Sequence, residues 1–261
     1  MKRWLLGVGL LLANLANAHA DIITQWNFNS TTPDANTGTG VSTPSVGSGS
    51  IAPIGGAANP GFNSGVGSSD TAAADNSGFQ TDSYQSQGAG SGTRGIRFNV
   101  STVGFSGISG SFDLRTSNTS SRWYQIRYTN DGSSFINLGG PSRLGASGLS
   151  VGDAWSNNIT FDLSSISSVN NNSQFGLEVV SVFSPVAFTE NSSGTNFAGN
   201  SAYESARNSA SGPQSAYGGG TWRFDMVTVT AVPEPSSIAL LSLVGIGGFA
   251  LRRLRKGRTG S

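Results

Sequence analysis

The sequence predicts an all-β protein whose central part folds as an antiparallel β-sandwich of jelly-roll type. Three observations lead there. Apolar residues alternate with polar ones over short runs, and they do not recur every three or four positions. Gly, Ser, Asn and Asp punctuate those runs, with 37 glycines in 261 residues. Asp131-Gly132 falls between two apolar runs, where a glycine that accepts positive φ without cost closes a hairpin.

Taken in order, Ile22–Phe28 opens the body as a strand. From Asn29 to Gly92 small and polar residues dominate, with isolated large apolars at Val46, Ile51, Ile54, Phe62 and Phe79. Few side chains there offset the entropy of ordering, so long loops with one or two short strands are expected, part of them disordered. Gly95–Val100 alternates with Ile96, Phe98 and Val100 on one face, and Gly107–Arg115 with Ile108, Phe112 and Leu114. In Arg122–Tyr128, Tyr124, Ile126 and Tyr128 share a face, while Trp123, Gln125 and Arg127 share the other. Phe135–Leu138, Trp155–Leu163, Phe175–Phe183 and Thr221–Thr230 continue the series, giving about eight to ten short strands. In the last run Trp222, Phe224, Met226 and Val229 cannot all share one face, which predicts a bulge or two-sided burial. Ser184–Gly220 reads as a long insertion sprinkled with aromatics, with a short helix at Ser201–Asn208. Pairing the first strand with the last would bring the two ends of the body together.

The two ends read differently from the middle. Lys2 and Arg3, the apolar Trp4–Leu12 and the small-residue ending Ala18-His19-Ala20 form a tripartite secretory signal, which divides the chain at residues 1–20. The body then spans 21–231. Val232-Pro233-Glu234-Pro235 is followed by an apolar run from Ile238 to Leu251 and by Arg252, Arg253, Arg255 and Lys256. Fourteen apolar residues give ~21 Å of helix, and the flanking arginines extend it toward a single membrane span. The basic cluster places that end in the cytoplasm and the body outside. The prolines keep the preceding peptide extended, so this tail is expected to lie outside the fold of the body.

Between Asp21 and Ala231 there are eight arginines and thirteen acidic residues, a net charge of about −5 and no basic stripe, which argues against a nucleic-acid partner. The same stretch contains no His, Lys or Cys. A Ser-His-Asp triad, a thiol or amine nucleophile and a conventional zinc site therefore cannot be assembled, and no catalytic or metal-ligating residue is assigned. Ten Asp and three Glu leave a two-carboxylate hydrolase open by inventory, though no short motif pairs them and Glu178 sits inside an apolar strand. A structural calcium on Asp, Asn and carbonyl oxygens is the one cofactor the composition admits, and Asn130-Asp131-Gly132 is its best local candidate. For a glycan, aromatic platforms are needed. Trp123, Trp155 and Trp222 read as core, and Tyr203 and Tyr217 as the side chains freer to face solvent.

Val232-Pro233-Glu234-Pro235, a short apolar run and a terminal Arg cluster resemble the PEP-CTERM sorting signal of Gram-negative bacteria, over residues 232–258. The resemblance implies an exosortase-type processing enzyme as partner, beside signal peptidase, and passage through an inner-membrane intermediate to the cell surface or matrix. Ile96–Phe98, Ser121–Phe135 and Trp222–Val229 are similar to runs in concanavalin-type and galactose-binding-type jelly rolls of secreted proteins, a likeness that implies a fold and a leaning toward glycans but no site residues. Together these give an exported, non-enzymatic surface or matrix protein that binds exopolysaccharide. A carboxylate hydrolase and a purely structural surface domain are the alternatives.

Overall fold

Period-two patterning decides which residues the sheets bury. The computed structural model describes residues 20–145, 151–190, 193–207 and 220–234. Their strands, in chain order, are β1 (Asp21–Trp26), β2 (Val46–Gly47), β3 (Ser50–Ile54), β4 (Ala58–Ser64), β5 (Ser77–Asp82), β6 (Gly95–Asn99), β7 (Phe105–Thr116), β8 (Trp123–Thr129), β9 (Ile136–Asn137), β10 (Ser142–Arg143), β11 (Trp155–Asp162), β12 (Gly176–Ser181), β13 (Phe188–Thr189), β14 (Asn196–Phe197) and β15 (Trp222–Pro233). One 3₁₀ turn, Ser167–Val169, is the sole helical element among the described residues.

The strands form two large antiparallel sheets. The first runs β11-β7-β15-β1-β2, with β5 beside β15 and β4 beside β5. The second runs β10-β8-β12-β6-β3, with β9 on β8. Their inner faces share one apolar core, to which Trp26, Phe79, Phe112, Leu114 and Phe224 come from the first sheet and Ile96, Phe98, Tyr124, Ile126 and Leu177 from the second. Aromatic pairs stitch the layers: Trp26 to Phe98 at 5.5 Å, Phe98 to Phe224 at 6.1 Å and Phe112 to Tyr124 at 6.1 Å between ring centroids. Each such pair contributes about 0.5–1.5 kcal/mol beyond the area it buries. The antiparallel sandwich expected from the sequence is what the chain forms.

The expected bulge lies at Met226, where φ is +47° and the β15–β7 register shifts between Asp225 and Thr228. It sends Trp222 and Phe224 inward on one side of the break and Val227 and Val229 inward on the other, all essentially without exposure. The same break changes β15's second neighbour. Trp222–Phe224 pair with β5, and Val227–Ala231 pair with β1. That last pairing brings Asp21 opposite Ala231, so the two ends of the body meet as expected.

Three expectations are corrected. The segment from Asn29 to Gly92 carries four strands, β2 to β5, because neighbouring ladders supply the partners that its sparse apolar residues lack. Ser201–Arg207 is not helical; Ser205 bridges to Ser121 instead, and the backbone of this stretch bonds to the strands beneath it. The strand β15 extends through Val232 and Pro233, opposite Ser106 and Phe105, and Glu234 N–H donates to the Gly104 carbonyl at 2.8 Å. The start of the Pro-Glu-Pro segment is thus part of the sheet, since β7 is long enough to pair it. The leader up to His19 and the apolar run Ile238–Leu251 lie outside the described residues. Among those described, no helix is long and apolar enough to cross a membrane.

Phe98, 1% exposed, touches aromatic rings of both β1 and β15. Phe98→Ala is expected to cost about 3–5 kcal/mol in denaturant unfolding, with an unchanged denaturant slope.

Candidate functional site

The chemistry of this domain lies on the outer faces of its sheets, where loops cover polar and charged rows. On the second sheet Arg127, Glu178 and Arg97 are cross-strand neighbours on β8, β12 and β6. Glu178, 2% exposed, takes Arg97 at 2.7 Å and Arg127 at 2.9 Å. The carboxylate that the sequence places in an apolar strand is therefore held between two guanidiniums. A second such unit lies beside it. Glu204 binds Arg122 at 3.3 Å, also bonds Arg143, and accepts the Trp123 indole N–H at 2.8 Å. Burial pushes the Glu204 carboxyl up, but the bonds from Arg143 and Trp123 and the charges of both arginines outweigh it and hold it below its usual value. Next to these pairs a concavity of about 360 Å³ is lined by Gln125, Arg127, Asn137, Phe183 and Asn200.

On the first sheet one register row crosses four strands: Trp155 on β11, Arg115 on β7, Arg223 on β15 and Gln80 on β5. Trp155, Arg115, Arg223, Asp153, Ser64 at the end of β4 and the loop residue Gly67 line a concavity of about 330 Å³. Arg223 donates to the Ser64 carbonyl at 2.6 Å and to Gln80 Oε1 at 2.9 Å, with no carboxylate partner among the described residues. Burial, helped by the charge of Arg115, pushes its guanidinium down to about 10. Arg115 pairs with Asp153 at 3.0 Å. Trp155, expected in the core, is half-buried instead and borders this opening.

The tyrosines fall elsewhere. Tyr203 is 4% exposed, packs edge-on against Phe183 and donates its hydroxyl to the Ala89 carbonyl at 3.0 Å. Burial pushes its phenol up to about 12. It has no free ring face for a sugar, because it is packed against Phe183 and tied to Gln87 and Ala89 in the segment between β5 and β6. Tyr217 lies outside the described residues. At the hairpin, Asp131 accepts Thr129 Oγ1–H and the Ser133 and Ser134 amides, which hold its carboxyl well below the usual range. That turn uses its own carboxylate.

Of the carboxylates that could work in pairs, Asp113 and Asp225 are direct partners across β7 and β15. They are 1% and 0% exposed, sealed beneath the loop that joins β4 to β5, so no glycosidic bond can reach them. Burial pushes the Asp225 carboxyl up to about 8, against hydrogen bonds from Ser68 and the Met226 amide that lower it, while Asp70 and Asp113 raise it further.

Residues 231–256 match the model of the PEP-CTERM protein-sorting motif. The chain thus joins an antiparallel β-sandwich to a C-terminal exosortase sorting signal, whose first residues are the end of β15. No curated protein matches the sequence. Among solved structures the chain is similar to the CBM22-1–GH10 modules of Clostridium thermocellum endo-1,4-β-D-xylanase 10B complexed with xylohexaose, at 10% identity and a TM-score of 0.35. That match covers 70% of this chain and 27% of the xylanase chain, so this chain spans about a quarter of its length.

A carboxyl raised in the folded state binds its proton more tightly there than when unfolded. Its contribution is fully present below the unfolded value of 3.8 and is lost as pH rises through about 8. In chelator-treated buffer the melting temperature is expected to fall as pH climbs across that window, and Asp225→Asn is expected to flatten the fall.

Proposed function

We propose that this chain is a non-enzymatic surface or matrix protein, delivered by an exosortase-type enzyme, whose sandwich binds exopolysaccharide. The sorting motif at residues 231–256 carries the reading: a chain with it is exported and held at the membrane for sorting. The site chemistry supports a binding role over hydrolysis. Glu178 and Glu204 are each neutralised by two arginines, and Asp113 and Asp225 are closed to solvent. Glycan binding is best supported at the Trp155 concavity. A half-exposed indole can stack on the C–H face of a sugar there, and Arg115 and Asp153 reach its hydroxyls.

Two measurements test the two halves of the proposal. Replacing Pro233, Glu234 and Pro235 by alanine is expected to leave the protein in the membrane fraction of its host, with the unsubstituted chain reaching the surface or medium. Equal distribution of both would overturn the sorting half. Trp155→Ala is expected to weaken binding to the host's own exopolysaccharide about tenfold, near 1.4 kcal/mol, with no release of reducing ends. Release of reducing ends would favour a hydrolase, and absence of any binding a purely structural domain.

A further inference from the structure

The loop between β4 and β5 crosses the outer face of the first sheet and closes over an unusual concentration of acid. Beneath it lie Asp113 and Asp225, directly opposed on neighbouring strands, where like charges repel. The loop itself supplies Asp70, Asp75 and Asn76. None of the ion pairs of the described residues involves any of these four carboxylates.

Their hydrogen bonds leave a specific gap. Asp113 accepts the amides of Ser69 and Asn158, at 2.5 and 2.7 Å. Asp70 accepts Asn29 Nδ2 at 2.7 Å and the Ala72 amide at 2.9 Å. Asp225 accepts the Met226 amide at 2.8 Å and the Ser68 hydroxyl at 2.7 Å. Asp75 uses one oxygen on the Ser30 amide, and its Oδ1 has no partner. Asn76 Oδ1 has none either, although Asn76 is only 4% exposed. That orphan oxygen points toward Asp225. A Cβ placed on Gly65 would lie 1.8 Å from Asn76 Oδ1 and 2.8 Å from Asp225 Oδ2, so the two oxygens converge on one spot that a glycine leaves open.

Asn76 Oδ1 has no donor and Asp225 Oδ2 has only the Ser68 hydroxyl, and buried acceptors that converge in this way are costly unless something positive sits between them. No guanidinium fills that role, and the available ligands are carboxylate, amide, hydroxyl and carbonyl oxygens. Oxygen donors without nitrogen or sulfur select a hard divalent cation. No three carboxylates among the described residues converge closely enough to cage an ion alone. The ligand set is therefore mixed, as calcium accepts and a transition metal does not.

We propose that Asp225 and Asn76, beside Gly65 and with the Ser68 hydroxyl at hand, hold a calcium ion that pins the β4–β5 loop to the first sheet. The ion compensates the Asp113–Asp225 opposition and completes the coordination of the orphan amide oxygen. This inference stands apart from the sorting and glycan readings, since it concerns only the folded body.

Calorimetric titration of calcium chloride into the chelator-treated full chain in detergent tests it, with thermal melting alongside. One ion per chain and a melting temperature that rises with calcium, and less with magnesium, are expected. Asn76→Ala and Gly65→Ala, the latter placing a methyl group in the gap, are each expected to weaken calcium binding about tenfold or more. Asp225→Asn is expected to do the same, and Asp131→Asn at the exposed hairpin to leave binding unchanged. The Asn76 and Gly65 variants carry the test if Asp225→Asn fails to fold. Absence of calcium binding, with no thermal shift, would overturn the proposal in favour of a proton held on Asp225. Binding that survives both Asn76→Ala and Gly65→Ala would overturn it by placing the ion elsewhere.

Discussion

The bulge at Met226 is the constraint from which the rest of the molecule follows. β15 runs through the first sheet with β7 along one side, and a strand of unbroken period two could not serve both neighbours on its other side. One extra residue at positive φ resets the alternation, so that Trp222 and Phe224 fill the core beside β5 while Val227 and Val229 fill it beside β1. The same reset fixes Arg223 and Asp225 on the outer face, and the freed Met226 amide caps the Asp225 carboxylate. Core, outer face and sorting end therefore share one strand.

The outer faces show two ways of burying charge. On the second sheet each buried glutamate is matched by arginines reaching across from neighbouring strands, an arrangement in which loss of either partner strands the other. On the first sheet the arginines and aspartates of the strands occupy separate rows, and only Arg115 finds a carboxylate, Asp153 from outside the strands. Arg115 and Arg223 form one row, and Asp113 and Asp225 form the next, shielded from each other's compensation by hydrogen bonds to backbone. The loop from Gly65 to Asn76 separates the aspartate row from solvent. It also forms one wall of the Trp155 concavity, so the order of the loop and the shape of that opening are coupled.

Much of this fold was legible in the sequence because its signals are local. Alternation in β6, β7, β8 and β12, the Asp131-Gly132 turn and the crowding of large apolars in the last strand all act over a few residues, and each is present where expected. The strands β2 to β5 were not legible. Their side chains are small, and the order comes from ladders contributed by β1, β6 and β15, partners distant in sequence. Tyr203 was misplaced for a related reason. An insertion rich in Gly and Ser reads as exposed, yet Glu204 beside it is drawn inward by Arg122, Arg143 and Trp123, and the tyrosine follows. Trp155 gave no sign of its half-exposed setting, because a tryptophan in a strand reads as core until the neighbouring row is known. Asp113 between Phe112 and Leu114 and Asp225 between Phe224 and Met226 read as strand-end or turn aspartates, yet both lie inside long strands, which is why the buried acid was not legible.

The pairing of Val232 and Pro233 with β7 leaves the sorting end without slack. After Glu234, whose amide is tied to Gly104, only three residues precede the apolar run that opens at Ile238. Fully extended, that is about 10 Å of chain. The first peptide bonds of the matched sorting motif are thus already engaged in a sheet. Cutting on the amino side of Glu234 would therefore require the end of β15 to peel from β7 first.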